Sequence, residues 1–189
     1  GVPLGFGAGK IGSEMGVNAM RLSAIRGKVF AEHLRDLGYD VTDEGDVEII
    51  LPAETDSDGS NAKNLEELAA SSENMAERVR SILDGGSTPI ILGGDHSIAI
   101  GTFSGVSAHF HDKGEDVGLI WFDAHADINT PETTTSGNIH GMPLAAILGL
   151  VSAAFSFVMG SPNARNHLYL EILGAVVGFG APSIVACIR

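Results

Sequence analysis

Apolar residues along this chain follow two patterns in turn, the helical period and the short unbroken run. Residues 18–37 place apolar side chains at helical intervals and stop at Gly38, which can adopt the left-handed conformation, so a helix is predicted there. A short strand is expected over 39–41. Residues 43–60 are acidic and contain Pro52 and Gly59, the pattern of a solvated connection. Leu65, Leu68, Met75, Val79 and Leu83 predict a helix over 65–83, closed by Gly85 and Gly86. The apolar run 88–92 then ends abruptly in Gly93-Gly94-Asp95-His96-Ser97, and the run 117–122 ends in Asp123-Ala124-His125-Ala126-Asp127. Residues 97–111 between them read as helix. Two-sided apolar strands separated by a helix predict a parallel sheet covered on both faces, where ligands collect beyond the carboxyl ends of the strands. Both polar clusters fall at such ends.

The pattern changes near residue 150. No side chain from 141 to 164 is charged, and 144–159 is apolar on every side of a helical wheel. A second uncharged run, 172–188, is broken by Gly174, Gly178, Gly180 and Pro182. Beyond residue 150 only Arg165, Glu171 and Arg189 are charged, and no aspartate follows Asp127. We therefore expect an α/β region over 1–150 and an apolar tail over 151–189. The 144–159 run is near the lower limit for crossing a bilayer and carries Gly149 and Ser152 at its centre, so a membrane span is not the expected reading.

Charge narrows the partners. A formal net charge of −13 and a pI near 4.7 leave no electrostatic footprint for nucleic acid or an anionic membrane, and favour a cationic or neutral small ligand. The single cysteine, Cys187, can form neither an internal disulfide nor a thiolate zinc site, which points to the cytoplasm.

Candidate chemistry gathers at the two strand ends. Asp123, His125 and Asp127 are spaced two apart, so continued strand geometry would turn all three to one side. His96 can add an imidazole from the neighbouring strand. Mixed carboxylate and imidazole donors without thiolate suit a hard divalent ion such as Mn²⁺ better than structural zinc. With Asp95 close by, the carboxylates would repel one another unless a cation neutralised them. The loop 129–143 leaves directly from these residues and is dense in hydroxyl and amide groups. Ordinary turn chemistry accounts for that density, but its position also suits hydrogen bonding to a bound molecule, and His140 can titrate near neutrality. His109 and His111 fit a helix C-terminus, His33 and His167 call for no special role, and Trp121 and Phe122 are expected in the core.

Three segments, Gly93-Gly94-Asp95-His96-Ser97, Asp123-Ala124-His125-Ala126-Asp127 and Thr134-Thr135-Ser136-Gly137-Asn138-Ile139-His140-Gly141-Met142-Pro143, resemble in order and spacing the signatures of the arginase family, the manganese ureohydrolases. The glycine-rich opening over 1–9 resembles the end of that family's first strand. The resemblance covers about residues 1–149 and implies a three-layer αβα fold with a mostly parallel sheet, here incomplete. It implies hydrolysis of the guanidino group of L-arginine to L-ornithine and urea by metal-activated solvent. His96, Asp123 and Asp127 match ligands of one manganese, and Asp123 and His125 match ligands of the second. Asn129, Thr134, Ser136 and Asn138 match positions that hold the amino-acid end of arginine, and His140 matches a proton-transferring histidine. The family also carries a later Ser-X-Asp-X-Asp strand end, which this chain lacks. That makes a truncated or frame-altered arginase the expected reading, with at most one manganese held firmly and turnover reduced or absent. Family members assemble as trimers or hexamers, through contacts that can lie in segments absent here. Competing readings are an agmatinase or other guanidino hydrolase, against which the loop 136–140 speaks, and a non-catalytic fragment that binds metal or partners.

Overall fold

The computed structural model describes residues 1–53 and 60–149. The tail 151–189, with His167 and Cys187, lies outside the described residues, as does most of the run 144–159. Among the described helices none is long and apolar enough to cross a membrane.

The centre of the described fold is the extended segment 1–4. On one side it pairs in parallel with the end of the 88–92 run: the Val2 amide donates to the Leu92 carbonyl (2.8 Å), Gly94 donates to Val2 (3.0 Å) and Asp95 to Leu4 (2.7 Å). On the other side the Val47 amide donates to the Gly1 carbonyl (2.8 Å). Close pairing explains Gly94, where a Cβ would stand 1.9 Å from the Leu4 carbonyl oxygen. Val2 and Leu4 are buried against Met75, with Phe6, Val47, Ile49, Ile91 and Ile98 packed around them. Residues 43–60 are thus not wholly a solvated connection. Val47 and Ile49 alternate with Glu48 and pack inward, while Asp43 and Asp46 pair with Arg21 and so tie the segment to the first helix.

The single helix expected over 18–37 is two. Helix α1 (Gly16–Leu22) and helix α2 (Phe30–Asp36) are separated by a tight turn in which Arg26 (φ +52°) and Gly27 (φ +80°) are left-handed and Ile25 and Lys28 bridge. Two left-handed residues in sequence make a hairpin-type turn, which the helical spacing around it disguised. The Glu32 carboxylate then accepts the Val29 amide (2.9 Å), one half of a capping box that starts α2. Gly38 supplies the left-handed stop (φ +92°) as expected. Residues 39–41 form no strand: the Tyr39 amide donates to Leu34 and Arg35 donates to the Val41 carbonyl, folding the segment back on α2.

Helix α3 (Leu65–Asp84) and helix α4 (Ile98–Asp112) match their predicted spans and pack together. Leu68, Met75 and Val79 are buried in α3, whereas Leu65, in the first turn, is exposed. Gly101 and Gly105 let α4 approach closely: a Cβ on Gly105 would lie 2.5 Å from the Ala76 carbonyl oxygen. His109 continues that face, is buried, and puts Nδ1 2.6 Å from an Asp84 carboxylate oxygen. Its role is therefore a side-chain clasp between two helices rather than a charge at a helix terminus. A second cluster of Leu68, Ile139 and Met142 joins α3 to the loop 129–143.

The run 117–122 departs from expectation. Ile120 and Phe122 are almost wholly exposed (93% and 102%), so Phe122 is not a core residue and the segment is not covered on both faces. Among the described residues nothing packs over that side.

Candidate metal centre

The site begins with Asp95, which is buried and is not one of the converging donors His96, Asp123 and Asp127. One oxygen accepts the Ser97 amide (2.9 Å) and the Ser97 hydroxyl, and the other accepts the Ala8 amide (2.9 Å). Asp95 thereby clamps the 3-10 turn Phe6–Ala8 to the start of α4. Its charge is stabilised by backbone donors, so it needs no cation. The sequence offered a signal for this in the Asp-X-Ser turn that precedes the helix.

That clamp leaves His96 facing the end of the second apolar run. His96 Nδ1 lies 3.1 Å from Asp123 Oδ2 and 3.5 Å from Asp127 Oδ2, and all three donor atoms fall within 4.8 Å of one another. The His96 ring stacks on Trp121, with centroids 4.9 Å apart and planes 9° from parallel. His125 stands at the rim. Its backbone amide donates to Asp123 Oδ1 (2.7 Å) and its Nδ1 lies 3.3 Å from that oxygen, but the imidazole is 82% exposed. Asp123 thus turns one oxygen to each histidine. The His125 backbone amide, aided by the two nearby imidazoles, holds the Asp123 carboxyl below the usual carboxylate range.

Strand alternation does not bring these groups together. Asp127 is left-handed (φ +51°), so the chain has already turned before it. Its carbonyl accepts the amides of Leu144 (3.0 Å) and Ala145 (3.4 Å), which fixes the aspartate at the start of the helix over 143–149. The Asp127 side chain is directed into the cluster by that anchor, and His125 is left outside. Asp127 Oδ2 is buried and has no hydrogen-bond partner among the described residues. A buried carboxylate oxygen in that state is costly unless a cation meets it. Donors about 2.1 Å from one ion and at right angles to it are about 3 Å apart, close to the separations here. The donor set fits a divalent cation.

The loop residues are held by their own turns. Thr134 Oγ1 accepts the amides of Ser136 (3.3 Å) and Gly137 (3.0 Å), and Ser136 Oγ accepts that of Asn138 (3.2 Å). The Asn138 side chain donates to the Ala8 carbonyl (2.9 Å), and the Asn129 amide donates to Gly141 (3.1 Å). His140 sits half-buried in the 3-10 turn Ile139–Gly141. The loop is thereby fastened beside the turn Phe6–Ala8, next to the clamp made by Asp95. Sequence reasoning missed both Asp95 as that clamp and Trp121 as a neighbour of His96.

Comparison with known proteins defines the class. The family model described as the arginase family matches residues 1–179, past the change of composition at residue 150. The arginase of Bacillus caldovelox is 44% identical over 173 residues, covering 90% of this chain and 55% of that protein. The arginase of Bacillus subtilis (strain 168) is 42% identical over 150 residues, covering 79% of this chain and 47% of that protein. Among solved structures, native Bacillus caldovelox arginase at pH 5.6 superposes with a TM-score of 0.67 at 44% identity, covering 77% of this chain and 46% of that one. Bacillus subtilis arginase gives 0.64 at 42% identity, covering 78% and 46%. The chain belongs to the arginase family, and its fold is the arginase-like αβα fold. It spans about half the length of the relatives it matches.

Proposed function

We propose that this site serves metal-dependent hydrolysis of the guanidino C–N bond of L-arginine, giving L-ornithine and urea, with manganese as the ion. The observation that carries the reading is the convergence of His96, Asp123 and Asp127, with a buried Asp127 oxygen unpartnered among the described residues, in a chain of the arginase family. His96, Asp123 and Asp127 would hold the ion, and only His125 and Asp123 would be donors to a second. A divalent cation there supplies Lewis acidity that lowers the pKa of solvent toward neutrality. Asn129, Thr134, Ser136 and Asn138 are assigned to the amino-acid end of the substrate, on a loop whose turns already fix its shape. His140 is the proposed donor of a proton to the leaving amine.

The 189-residue chain by itself is proposed to hold one manganese firmly. His96, Asp123 and Asp127 form a three-donor set like those of mononuclear sites, whereas Asp123 and His125 alone compete poorly with water. Turnover is then strongly reduced or absent. The single cysteine supports a cytoplasmic setting.

Elemental analysis after dialysis and calorimetric titration with arginine or agmatine test this reading. One manganese per chain, arginine binding tighter than agmatine binding, and little urea release are expected. Two tightly held ions or robust urea release would overturn the single-ion account while supporting arginine hydrolysis, and preference for agmatine would favour a different guanidino hydrolase.

A further inference from the structure

We propose that Trp121 is a positioning residue for the cation site: its indole fixes the plane of the His96 imidazole so that Nδ1 faces Asp123 and Asp127. This rests on the metal reading above and goes beyond it, because Trp121 supplies no donor atom to the ion. An imidazole carries two nitrogens on a ring whose second side-chain torsion is broad, so its packing decides which nitrogen is presented. Trp121 provides that packing. The rings are 4.9 Å apart and 9° from parallel, and the His96 side chain is otherwise 31% exposed.

Two further observations separate this role from core filling. The alternation of the segment turns Trp121 towards the site while Ile120 and Phe122, on either side of it, stand almost wholly exposed. The site face is therefore the one on which this segment is packed. In addition, Trp121 Nε1 is buried with no hydrogen-bond partner among the described residues. A leucine would fill that space without burying an N–H, so apolar bulk alone does not explain the residue, whereas stacking on His96 requires a flat ring. With the imidazole already ordered, less conformational freedom is lost when the ion binds.

The test uses the whole chain and Mn²⁺ alone, with free Mn²⁺ followed by its electron paramagnetic resonance signal. W121L keeps apolar bulk but removes the ring, and its affinity should fall roughly threefold to tenfold, the size of an aromatic stacking contribution. W121F restores a stacking ring and should bind within about twofold of the parent. Trp121 is the only tryptophan in the chain, so parent fluorescence should change saturably at the manganese concentrations that fill the site. Circular dichroism of the metal-free proteins checks that α3 and α4 form in each variant. A folded W121L that binds as tightly as the parent would overturn the proposal while leaving the metal reading intact, as would manganese binding with no change in Trp121 emission. If W121L does not fold, W121M, which also keeps apolar bulk without a ring, takes its place, with the same loss of affinity expected and parent-like affinity overturning the proposal. A parent chain that binds no manganese would remove the metal reading and this role with it.

Discussion

At Asp95 one buried carboxylate satisfies two backbone amides and a hydroxyl from two different parts of the chain. Asp95→Ala leaves the Ala8 and Ser97 amides without that acceptor, and the loss should be about 2–4 kcal/mol in urea denaturation, since each buried unsatisfied donor costs about 1–3 kcal/mol. Asp127 is the opposite case, a carboxylate whose buried oxygen lacks a hydrogen-bond partner among the described residues. Asparagine tolerates the left-handed backbone at this position. Asp127→Asn should therefore leave the metal-free melting temperature unchanged or higher, while manganese affinity falls at least about tenfold because a charged ligand is lost. Calorimetry with and without Mn²⁺ measures both. The two aspartates look alike in sequence, each beside a histidine or one residue from it. Their roles separate only when the backbone donors around each are known.

The helices raise a different issue, how close two of them can come. The faces of α3 and α4 meet at Gly101 and Gly105, and Gly105→Leu would force a side chain into the Ala76 backbone. A loss of about 1–3 kcal/mol is expected from overpacking, visible as a lower thermal midpoint. Beyond the glycines the same interface is closed by His109 and Asp84. The hydrogen bond from His109 lowers the Asp84 carboxyl below its usual range, with Arg80 assisting. A carboxyl with a depressed folded pKa contributes stability that is present above its unfolded value and is lost as pH falls through the folded one. Melting temperature should therefore drop more steeply below about pH 4 in the parent than in His109→Phe, which lacks the pair. Period and length located both helices because their apolar stripes are long and regular. The break between α1 and α2 was hidden because the turn at Arg26 and Gly27 falls inside a run whose spacing remains helical.

Across the whole molecule, the site is assembled by three separate segments: the turn after 88–92, the end of 117–122 and the start of the helix over 143–149. Binding an ion to the folded chain alone links metal to global stability. Manganese at a hundredfold excess over its dissociation constant should add about 2.7 kcal/mol, and a chelator should remove it. The side of 117–122 that nothing covers among the described residues carries a cost at this same scale. Exposed Ile120 and Phe122 on an extended segment invite association, so I120K/F122K should reduce the apparent size seen by light scattering without affecting the helical signal. The sequence alone determined which residues are chemically able to meet a cation, where the long helices run, and the αβα class, because donor identity and apolar period are local properties. It also carried the family signatures. Only the tertiary structure decided that Asp95 is a clamp, that His125 stays at the rim and that Trp121 lies against His96. Those outcomes depend on a left-handed turn at Asp127 and on pairings between residues far apart in the chain, of which a local pattern encodes only the Asp-X-Ser half of the Asp95 clamp.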